Sequence, residues 1–237
     1  AVICACEYIR KKNPEYNWVY MKPNLCQLQN IKWWPCPVQP EKYPVVLRPM
    51  INLCGMGSEV SFINGEEEFD ENSCYGYFTT PFLEGEHTSH DFDISNGEII
   101  KETVFKGFPN KEYPGTFKYW ELIKKNGSIN FTKNLNLLIN KFKNYTGPLN
   151  IECIDGNIIE AHLREGDEYL TENYEIPLYL VPVWNTLEDN EEIDIENIKK
   201  QKGVIDVIKD SKNLSRTGVN LQRKALVITK NLPEDLI

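Results

Sequence analysis

Between residues 45 and 184 the sequence consists of short apolar runs separated by turn residues, with one clear amphipathic helix among them. Runs of this length, bounded by Gly, Pro, Asn or Asp, are typical of β-strands. The stretch "CYGYFTTPFLEGEHTSHDFDISNGEIIKETVFKGF" predicts three strands with turns at "LEGE" and "SNGE". Strands that follow one another without regular alternation with helices favour an α+β fold over a parallel α/β fold.

The remaining elements are predicted from the same patterns. We expect strands at "PVVLRPM", at "KALVITK" and at "IPLYLVPVW", whose prolines indicate an edge strand. Short helices are expected at "GEEEFDENS" and at "IENIKKQKGVIDVIKD". The clearest helix has apolar residues at spacings of four, three, four and three: Phe131, Leu135, Leu138, Phe142 and Tyr145. Asn130 or Ser128 is its expected cap, and Gly147 and Pro148 end it.

The N-terminal 44 residues show no sustained period, and their prolines interrupt both helices and strands. After a short initial helix we therefore expect extended segments whose aromatic side chains pack on the main body. No run of about 18 apolar residues is present, so a transmembrane helix is not expected. The stretch "AVICACEYIRKK" is too short and polar for a signal peptide.

Charge and cysteine content limit the classes of function. The net charge of -9 argues against a nucleic-acid partner, which would need a basic surface. It still permits an anionic nucleotide, because metal ions or a local basic cluster can offset the charge. The 7 cysteines are odd in number and form no CxxC pair, so they predict neither a zinc ribbon nor a disulfide framework. We expect a cytoplasmic protein without a membrane partner.

The segment "NIECIDGNIIEAHLR" predicts a hairpin that has one charged face. The apolar face holds Ile151, Cys153, Ile159, Ala161 and Leu163, and the charged face holds Glu152, Glu160, His162 and Arg164. With "DGN" as a three-residue loop, Glu152 lies directly opposite Glu160, which is destabilising unless a cation offsets the charge. A two-residue loop would shift the register by one. Mg²⁺ with oxygen ligands would supply that charge, and Arg164 could contact a phosphate. A plain solvated sheet face is the alternative.

A glycine loop supplies a second candidate site. The stretch "VVLRPMINLCGMGSEVSFI" places Arg48 at a strand end and then Gly55, Gly57 and Ser58 in a loop before the next strand. Backbone N–H groups in such a loop can cradle phosphate oxygens, and glycine permits their close approach. An ordinary hairpin turn is the alternative.

Two histidines, His87 and His90, stand three residues apart beside several acids. A pair at this spacing can bind zinc when both side chains face one side. No helical apolar stripe accompanies the pair, which weakens the case for zinc.

In their order and spacing, these segments resemble the ATP-grasp family over about residues 42–166. "PVVLRPMINLCGMGS" is similar to the strand with a phosphate-binding basic residue and the flexible glycine loop after it. "FTTPFLEGEHTSHDFDISNGEII" resembles the hinge, and "GPLNIECIDGNIIEAHLR" resembles the metal-binding end, the most specific element. The resemblance implies two α+β subdomains, at residues 45–85 and 86–185, whose mainly antiparallel sheets sandwich a nucleotide. An irregular segment at 1–44 and an acidic segment, helix and strand at 186–237 flank them.

The resemblance also implies ATP and Mg²⁺ as cofactors. Glu152 and Glu160 would be Mg²⁺ ligands, with His162 in the place of the usual Asn. Arg164 would contact the transferring phosphate, so it and Glu160 are the expected catalytic residues. The implied ATP contacts are Arg48, which takes the place of the usual Lys on the α- and β-phosphates, and Gly55, Gly57, Ser58, Pro81, Phe82, Leu83, Glu84 and Glu86.

The activity that the resemblance implies is an ATP-dependent ligase. It would activate a small-molecule or peptide carboxylate as an acyl phosphate for attack by an amine or similar nucleophile. The acceptor would meet "KGFPNKEYPGTFKYWE" and its Lys106, Lys111 and Lys118, unless this is an ordinary surface loop. Arg48 keeps the charge of the usual Lys but not its geometry, and His162 supplies nitrogen where Mg²⁺ prefers oxygen. A non-catalytic nucleotide-binding or interaction protein of the same fold is the alternative.

Overall fold

The computed structural model describes residues 11–51, 60–111, 116–125, 132–166, 176–186, 193–209 and 221–232. Its helices are a 3₁₀ helix at Pro14–Tyr20 and then α1 (Lys22–Gln29), α2 (Glu66–Asn72), α3 (Lys133–Ile139) and α4 (Ile195–Lys199). Its strands are β1 (Trp34–Pro35), β2 (Val45–Pro49), β3 (Ser61–Ile63), β4 (Tyr77–Pro81), β5 (His87–Ser95), β6 (Glu98–Pro109), β7 (Phe117–Lys125), β8 (Gly147–Ile154), β9 (Asn157–His162), β10 (Tyr179–Thr186), β11 (Val204–Lys209) and β12 (Leu221–Thr229). Within the described ranges, no helix has the length and apolar character needed to cross a membrane.

The chain forms two compact units, and the first comprises residues 1–55, 59–104 and 124–169. Its smaller sheet has the strand order β1-β4-β2-β3, and a second set of strands has the order β9-β8-β5-β6. β2 pairs antiparallel with β3 and β4, and β8 pairs antiparallel with β5 and β9. The α+β class with mainly antiparallel sheets is therefore confirmed. The division into four sequence segments stays a prediction.

The N-terminal segment of the first unit is helical where we expected extended chain. Pro14 and Pro23 stand in the first turns of the 3₁₀ helix and of α1, where the missing N–H of proline costs no hydrogen bond. The prolines therefore begin helices here instead of interrupting them. The expected aromatic packing is present: the Tyr16 ring lies 5.1 Å from the rings of Phe142 and Tyr145, measured between centroids.

The predicted helix before the hairpin is shorter in the structure. It is α3, and the Thr132 hydroxyl caps it by accepting from the backbone N–H of Leu135 at 3.3 Å. The expected caps Asn130 and Ser128 lie outside the described residues. Phe142 and Tyr145 follow α3 in tight turns, and both are fully buried. Phe131, the first residue of the predicted stripe, also lies outside the described residues, but the other four are buried as expected, although turns carry the second half of the stripe.

The turn of the β8–β9 hairpin has two residues where we expected three. Ile154 pairs with Asn157, which leaves Asp155 and Gly156 as the turn. These two residues have positive φ angles of 47° and 72°, the combination that a type I′ turn requires. The right-handed twist of the strands favours this turn over a longer loop.

A β-bulge cancels the register shift that this short turn introduces. Cys153 pairs with Ile158, but the next pair along is Glu152 with Glu160, so Ile159 has no partner across the ladder. Glu152 and Glu160 are therefore directly opposite each other as predicted. The bulge also changes the core face: Ile158 is 1% exposed, whereas Ile159, which we expected in the core, is only half-buried.

The second unit comprises residues 56–58, 105–123 and 170–237, and its strands have the order β11-β12-β10-β7. β10 is an interior strand, contrary to the edge position that its prolines indicated. It pairs with β12 along its length but with β7 only at Tyr179 and Leu180. Pro182 lies beyond the short ladder between β10 and β7, so its missing N–H removes no hydrogen bond from that ladder.

The predicted C-terminal helix is half helix and half strand. α4 ends at Lys199, and the following residues form β11. Gly203, at a φ of 94°, separates the two, and the β-branched residues after it suit a strand better than a helix.

Alanine substitutions at Ile158 and Ile159 test the bulge. Ile158→Ala empties a core position and should lower the free energy of unfolding by about 2–5 kcal/mol. Ile159→Ala, at a half-buried position, should lower it by less than about 1 kcal/mol. Urea denaturation followed by circular dichroism measures both. A hairpin without the bulge would give the opposite order.

Candidate functional site

The hairpin places three candidate ligands on one face of the first unit. Glu152 and Glu160 are opposite each other, and His162 lies two residues beyond Glu160 on the same side of β9. One ligand atom from each side chain lies within 4.8 Å of the other two. Glu160 is 7% exposed and His162 is 3% exposed. A plain solvated face is therefore wrong for these residues, and the structure brings the predicted metal ligands together.

Both carboxylates have basic neighbours. Lys22 Nζ lies 3.4 Å from Oε1 of Glu160, and Nε2 of His162 lies 3.8 Å from the same oxygen. On the other strand, Nε2 of His87 lies 3.2 Å from Oε2 of Glu152. A buried carboxylate needs such compensation, because an unpaired charge away from water is costly. These neighbours hold the two carboxylates in position as potential ligands.

The surroundings set the protonation states of the cluster. Burial lowers the pKa of His162 to about 4, although the neighbouring Glu160 opposes this shift. His162 is therefore a neutral imidazole at neutral pH. Burial raises the pKa of the Glu152 carboxyl, but the hydrogen bond with His87 and the charge of Arg164 outweigh it, so that pKa lies below its ordinary value. An ionised carboxylate and a neutral imidazole are the forms in which these groups bind metals.

The donor set of Glu152, Glu160 and His162 fits a divalent cation. Carboxylate oxygens are the ligands that Mg²⁺ prefers, and imidazole nitrogen binds first-row transition ions. Two carboxylates directly opposite each other destabilise paired strands on their own. A cation held among the three side chains would remove that repulsion. In the described part of the chain, these are the residues that could hold it.

Lys22 is a site residue that the sequence did not indicate. It is the first residue of α1, in the segment that we expected to be extended, and only 9% of its side chain is exposed. Lysine is rarely buried unless it is paired, and its partner here is Glu160. A lysine before a proline at a helix start carries no charge pattern that points to a hairpin far along the chain.

Arg48, the expected phosphate ligand, contacts the hairpin through the bulge. Its Nη1 donates to the carbonyl oxygen of Ile159 at 3.1 Å, and its guanidinium carbon lies 5.0 Å from the centre of the Phe78 ring. The residue is 8% exposed, and its Nε has no hydrogen-bond partner in the described structure. Burial lowers the pKa of Arg48, while the charges of Cys26 and Glu160 oppose this shift. Its role as a phosphate ligand stays a prediction.

The predicted hinge, Pro81 to Glu86, joins β4 to β5 and packs on the hairpin turn. The backbone N–H of Asp155 donates to the carbonyl oxygen of Glu86 at 2.9 Å. A Cβ atom on Gly85, whose φ is 133°, would lie 2.5 Å from Cβ of Asp155, so this close approach requires glycine.

Among the other hinge residues, the Phe82 ring is 41% exposed and packs edge-on against the Phe62 ring at 5.7 Å. Leu83 is half-buried and Glu84 is exposed. Phe82 therefore offers an accessible apolar surface at the hinge. Gly55, Gly57 and Ser58 of the predicted glycine loop lie outside the described residues.

Arg164 lies just past β9, in a segment that a polar network holds in place. Its Nη1 donates to the carbonyl oxygen of Glu165 at 2.8 Å. The backbone N–H of Gly166 donates to both carboxylate oxygens of Asp91 at 3.0 Å, and Nδ2 of Asn150 donates to Oδ1 of Asp91 at 2.8 Å. Asp91 thus ties the segment after Arg164 to β5 and β8. No motif in the sequence pointed to Asp91 or Asn150 as site residues.

His87 and His90 do not form a pair. Residues three apart on a strand point to opposite faces, so His87 meets Glu152 while Nδ1 of His90 lies 3.5 Å from Oε1 of the buried Glu102. A zinc site built on both histidines is therefore wrong.

The segment expected to meet the acceptor lies in the second unit, apart from residues 112–115, which are outside the described structure. Phe108 stacks on Tyr119 with ring centroids 4.3 Å apart, and Nζ of Lys106 lies 5.4 Å from the Phe108 ring centre. The described residues of the segment lie mainly in β6 and β7, where these aromatic rings contact each other. Its contact with an acceptor stays a prediction.

No protein-family model and no curated protein matches the sequence, but solved structures match the fold over most of the chain. The L-amino acid ligase from Bacillus licheniformis has a TM-score of 0.60 at 12% identity, over 98% of this chain and 71% of that one. Carboxyaminoimidazole ribonucleotide synthase from Aspergillus clavatus, complexed with ATP, has a TM-score of 0.65 at 10% identity, over 90% and 68%. Both are ATP-grasp enzymes. The chain has the ATP-grasp fold.

A third ATP-grasp neighbour is the biotin carboxylase domain of 2-oxoglutarate carboxylase from Hydrogenobacter thermophilus, in complex with MgADP, ADP and bicarbonate. Its TM-score is 0.53 at 12% identity, over 92% of this chain and 63% of that one. At identities this low, the structural matches establish the ATP-grasp fold alone. The chemistry has to be argued from the residues of the site.

Replacing Lys22 by methionine should strengthen cation binding at the hairpin, because it removes a positive charge beside Glu160. Unit charges about 4 Å apart interact by at least about 1 kcal/mol, so the dissociation constant of Mn²⁺ should fall about fivefold or more. Electron paramagnetic resonance of free Mn²⁺ measures it.

Lys32→Met is the matched control, because Lys32 pairs with Glu41 at 2.6 Å on the exposed surface. It should leave Mn²⁺ affinity unchanged. Unchanged or weaker binding in a folded Lys22→Met variant would show that Lys22 does not oppose the cation.

Proposed function

We propose that this protein is an ATP-dependent ligase of the ATP-grasp type. It activates the carboxylate of a small molecule or peptide as an acyl phosphate, and an amine or similar nucleophile then attacks the acyl carbon. The observation that carries the proposal is the convergence of Glu152, Glu160 and His162 within 4.8 Å on one face of the hairpin, where Glu160 and His162 are buried. The ATP-grasp fold supports it, and so do neighbours whose names include a ligase and whose complexes contain ATP or MgADP.

In this proposal the hairpin holds Mg²⁺ through Glu152, Glu160 and His162. When bound there, Mg²⁺ would neutralise phosphate charge and help to align the reacting oxygens. The carboxylates are already ordered by Lys22 and His87, so little side-chain entropy remains to be lost when the cation enters.

The remaining predicted residues would bind ATP. Arg48 would add positive charge beneath the hairpin for the α- and β-phosphates, with Gly55, Gly57 and Ser58 covering the phosphates. The hinge, Pro81 to Glu86, would line the adenine and ribose, with Phe82 offering its exposed ring. The contact of the hinge with the hairpin turn supports the hinge assignment, and the contact of Arg48 with the Ile159 carbonyl supports the Arg48 assignment. The glycine-loop assignment rests on the sequence resemblance alone.

The reaction transfers the γ-phosphoryl group to a carboxylate oxygen of the substrate and releases ADP. Attack by the nucleophile then expels inorganic phosphate. Arg164 would face the transferring group, since donors aimed at developing charge lower such barriers most. Asp91, through Gly166, would limit the movement of the segment that carries Arg164.

The net charge of -9 makes a nucleic-acid substrate unsuitable, and a cytoplasmic location stays a prediction.

A non-catalytic ATP-grasp protein is the second candidate, and two observations favour it. The Arg48 guanidinium donates to the Ile159 carbonyl instead of facing an open surface, and Lys22 already neutralises Glu160. A chain that binds nucleotide for sensing or interaction needs no freely placed phosphate-binding cation. Turnover distinguishes the two candidates.

Calorimetry of ATP binding with and without Mg²⁺ tests the proposed site. We expect Mg²⁺ to lower the dissociation constant of ATP for the wild type. In Glu160→Gln the factor by which Mg²⁺ lowers this constant should be about tenfold or more smaller, because a carboxylate ligand is lost. Glu102→Gln is the matched control, since Glu102 is equally buried and also pairs with a histidine. It should retain the gain.

If the wild type shows no Mg²⁺-dependent ATP binding, the proposal fails. ADP release in the presence of a panel of carboxylic acids and amines then separates a ligase from a non-catalytic protein. Tight binding without ADP release would favour the second candidate.

Arg164→Met should reduce ADP formation by about 100-fold or more, the scale of loss when one charge-stabilising donor is removed. ATP affinity should change much less, because the residue is expected to act on the transferring group. Steady-state ADP assays beside ATP calorimetry measure the two effects. Partial recovery in Arg164→Lys is expected, and equal losses in affinity and rate would instead assign Arg164 to binding.

A further inference from the structure

His162 is an unusual component of a site that would otherwise suit Mg²⁺. Glu152 and Glu160 provide oxygen donors, which both Mg²⁺ and Mn²⁺ accept. The third donor is an imidazole nitrogen, within 4.8 Å of a ligand oxygen of each carboxylate. Mg²⁺ gains little from nitrogen, whereas first-row transition ions bind imidazole well. The nitrogen donor therefore favours first-row transition ions over Mg²⁺, a preference that the two carboxylates alone would not produce.

The imidazole has little freedom to leave the donor set. Only 4% of the His162 side chain is exposed. Its backbone is fixed by pairing with Asn150 across the β8–β9 ladder, and the Tyr20 ring packs edge-on at 6.4 Å. The hydroxyl of Tyr20 accepts from the backbone N–H of Leu163 at 3.2 Å, which holds the ring and the end of β9 together. A cation at the two carboxylates would therefore meet the His162 nitrogen.

A second histidine acts on the opposite carboxylate. Nε2 of His87 lies 3.2 Å from Oε2 of Glu152, so one oxygen of this carboxylate already has a partner. A contact of this kind orients a ligating carboxylate. Glu152 is thus held from β5, Glu160 is held by Lys22, and His162 is held by the ladder. An orderly set of three donors of mixed type favours an ion that accepts both oxygen and nitrogen.

We infer that this site binds Mn²⁺, and other divalent first-row transition ions, more tightly than Mg²⁺, and that His162 is the selecting ligand. The inference rests on the proposed function in one respect only, namely that these three residues are the metal ligands. It deepens that function by naming the class of cation which the site of this chain selects. Mg²⁺ still binds where its concentration is much higher than that of transition ions.

Mn²⁺ binding to the full chain tests the inference directly. Electron paramagnetic resonance measures free Mn²⁺ during titration, and Mg²⁺ added as a competitor gives the ratio of the two dissociation constants. We expect Mn²⁺ to bind about tenfold or more tightly than Mg²⁺, and His162→Asn to lose most of that ratio, on the scale of ligand-shell changes. Electron spin echo modulation of bound Mn²⁺ should show coupling to ¹⁴N in the wild type and none in His162→Asn.

His90→Asn is the matched control, because His90 is a partly buried histidine on the other face of β5 and pairs with Glu102. It should keep both the ratio and the ¹⁴N coupling. The wild-type spectrum decides the matter even if His162→Asn does not fold, since the nitrogen signal needs no variant.

Equal affinities for Mn²⁺ and Mg²⁺, or bound Mn²⁺ without ¹⁴N coupling, would overturn the inference. If Mg²⁺ still strengthened ATP binding in that case, the proposed function would stand. Binding of neither ion, with or without ATP, would overturn both.

Discussion

Glu152 and Glu160 stand directly opposite each other on paired strands, and Glu160 is buried. Like charges in this position oppose strand pairing, so the hairpin depends on positive charge or a cation close to both. Lys22 meets this need at Glu160, and at Glu152 the His87 ring supplies a hydrogen-bond partner. An ion pair therefore joins α1 to the hairpin, and a hydrogen bond between side chains joins β5 to it. The same constraint produces a preordered pair of metal ligands.

The β-bulge at Ile159 joins packing to chemistry. It allows a tight two-residue turn to coexist with the opposed carboxylates, and it keeps Ile158 in the core. It also leaves the Ile159 carbonyl outside the ladder, where it accepts from Arg48. Bulges commonly redirect side chains beside functional sites. Here one unpaired residue sets the register of the acids and gives the buried guanidinium a partner.

The ligase candidate and the non-catalytic candidate both depend on the buried cations that contact the hairpin. Cationic side chains beside buried carboxylates can stabilise the site until a metal and a phosphate bind. Alternatively, they can take the place of the metal and the phosphate permanently. Lys22 and Arg48 both come from outside the hairpin, and both reach it in the folded chain. Whether they yield to nucleotide depends on how tightly the carboxylates and the Ile159 carbonyl hold them. The fold alone is compatible with either answer, because function depends on the site.

The strand pattern was sufficient to predict an α+β chain, and the resemblance of its motifs to the ATP-grasp family implied that fold. Glu152 opposite Glu160 was predicted from a three-residue turn, and this pairing holds only because the bulge offsets the two-residue turn. Local period and turn residues determine the individual strands, because these depend on neighbours in the chain. The bulge, the interior position of β10 and the helical N-terminus required the tertiary structure, since each depends on pairing or packing with distant segments. Lys22 is the clearest case: its burial against Glu160 follows from where α1 docks, and no local pattern encodes that contact.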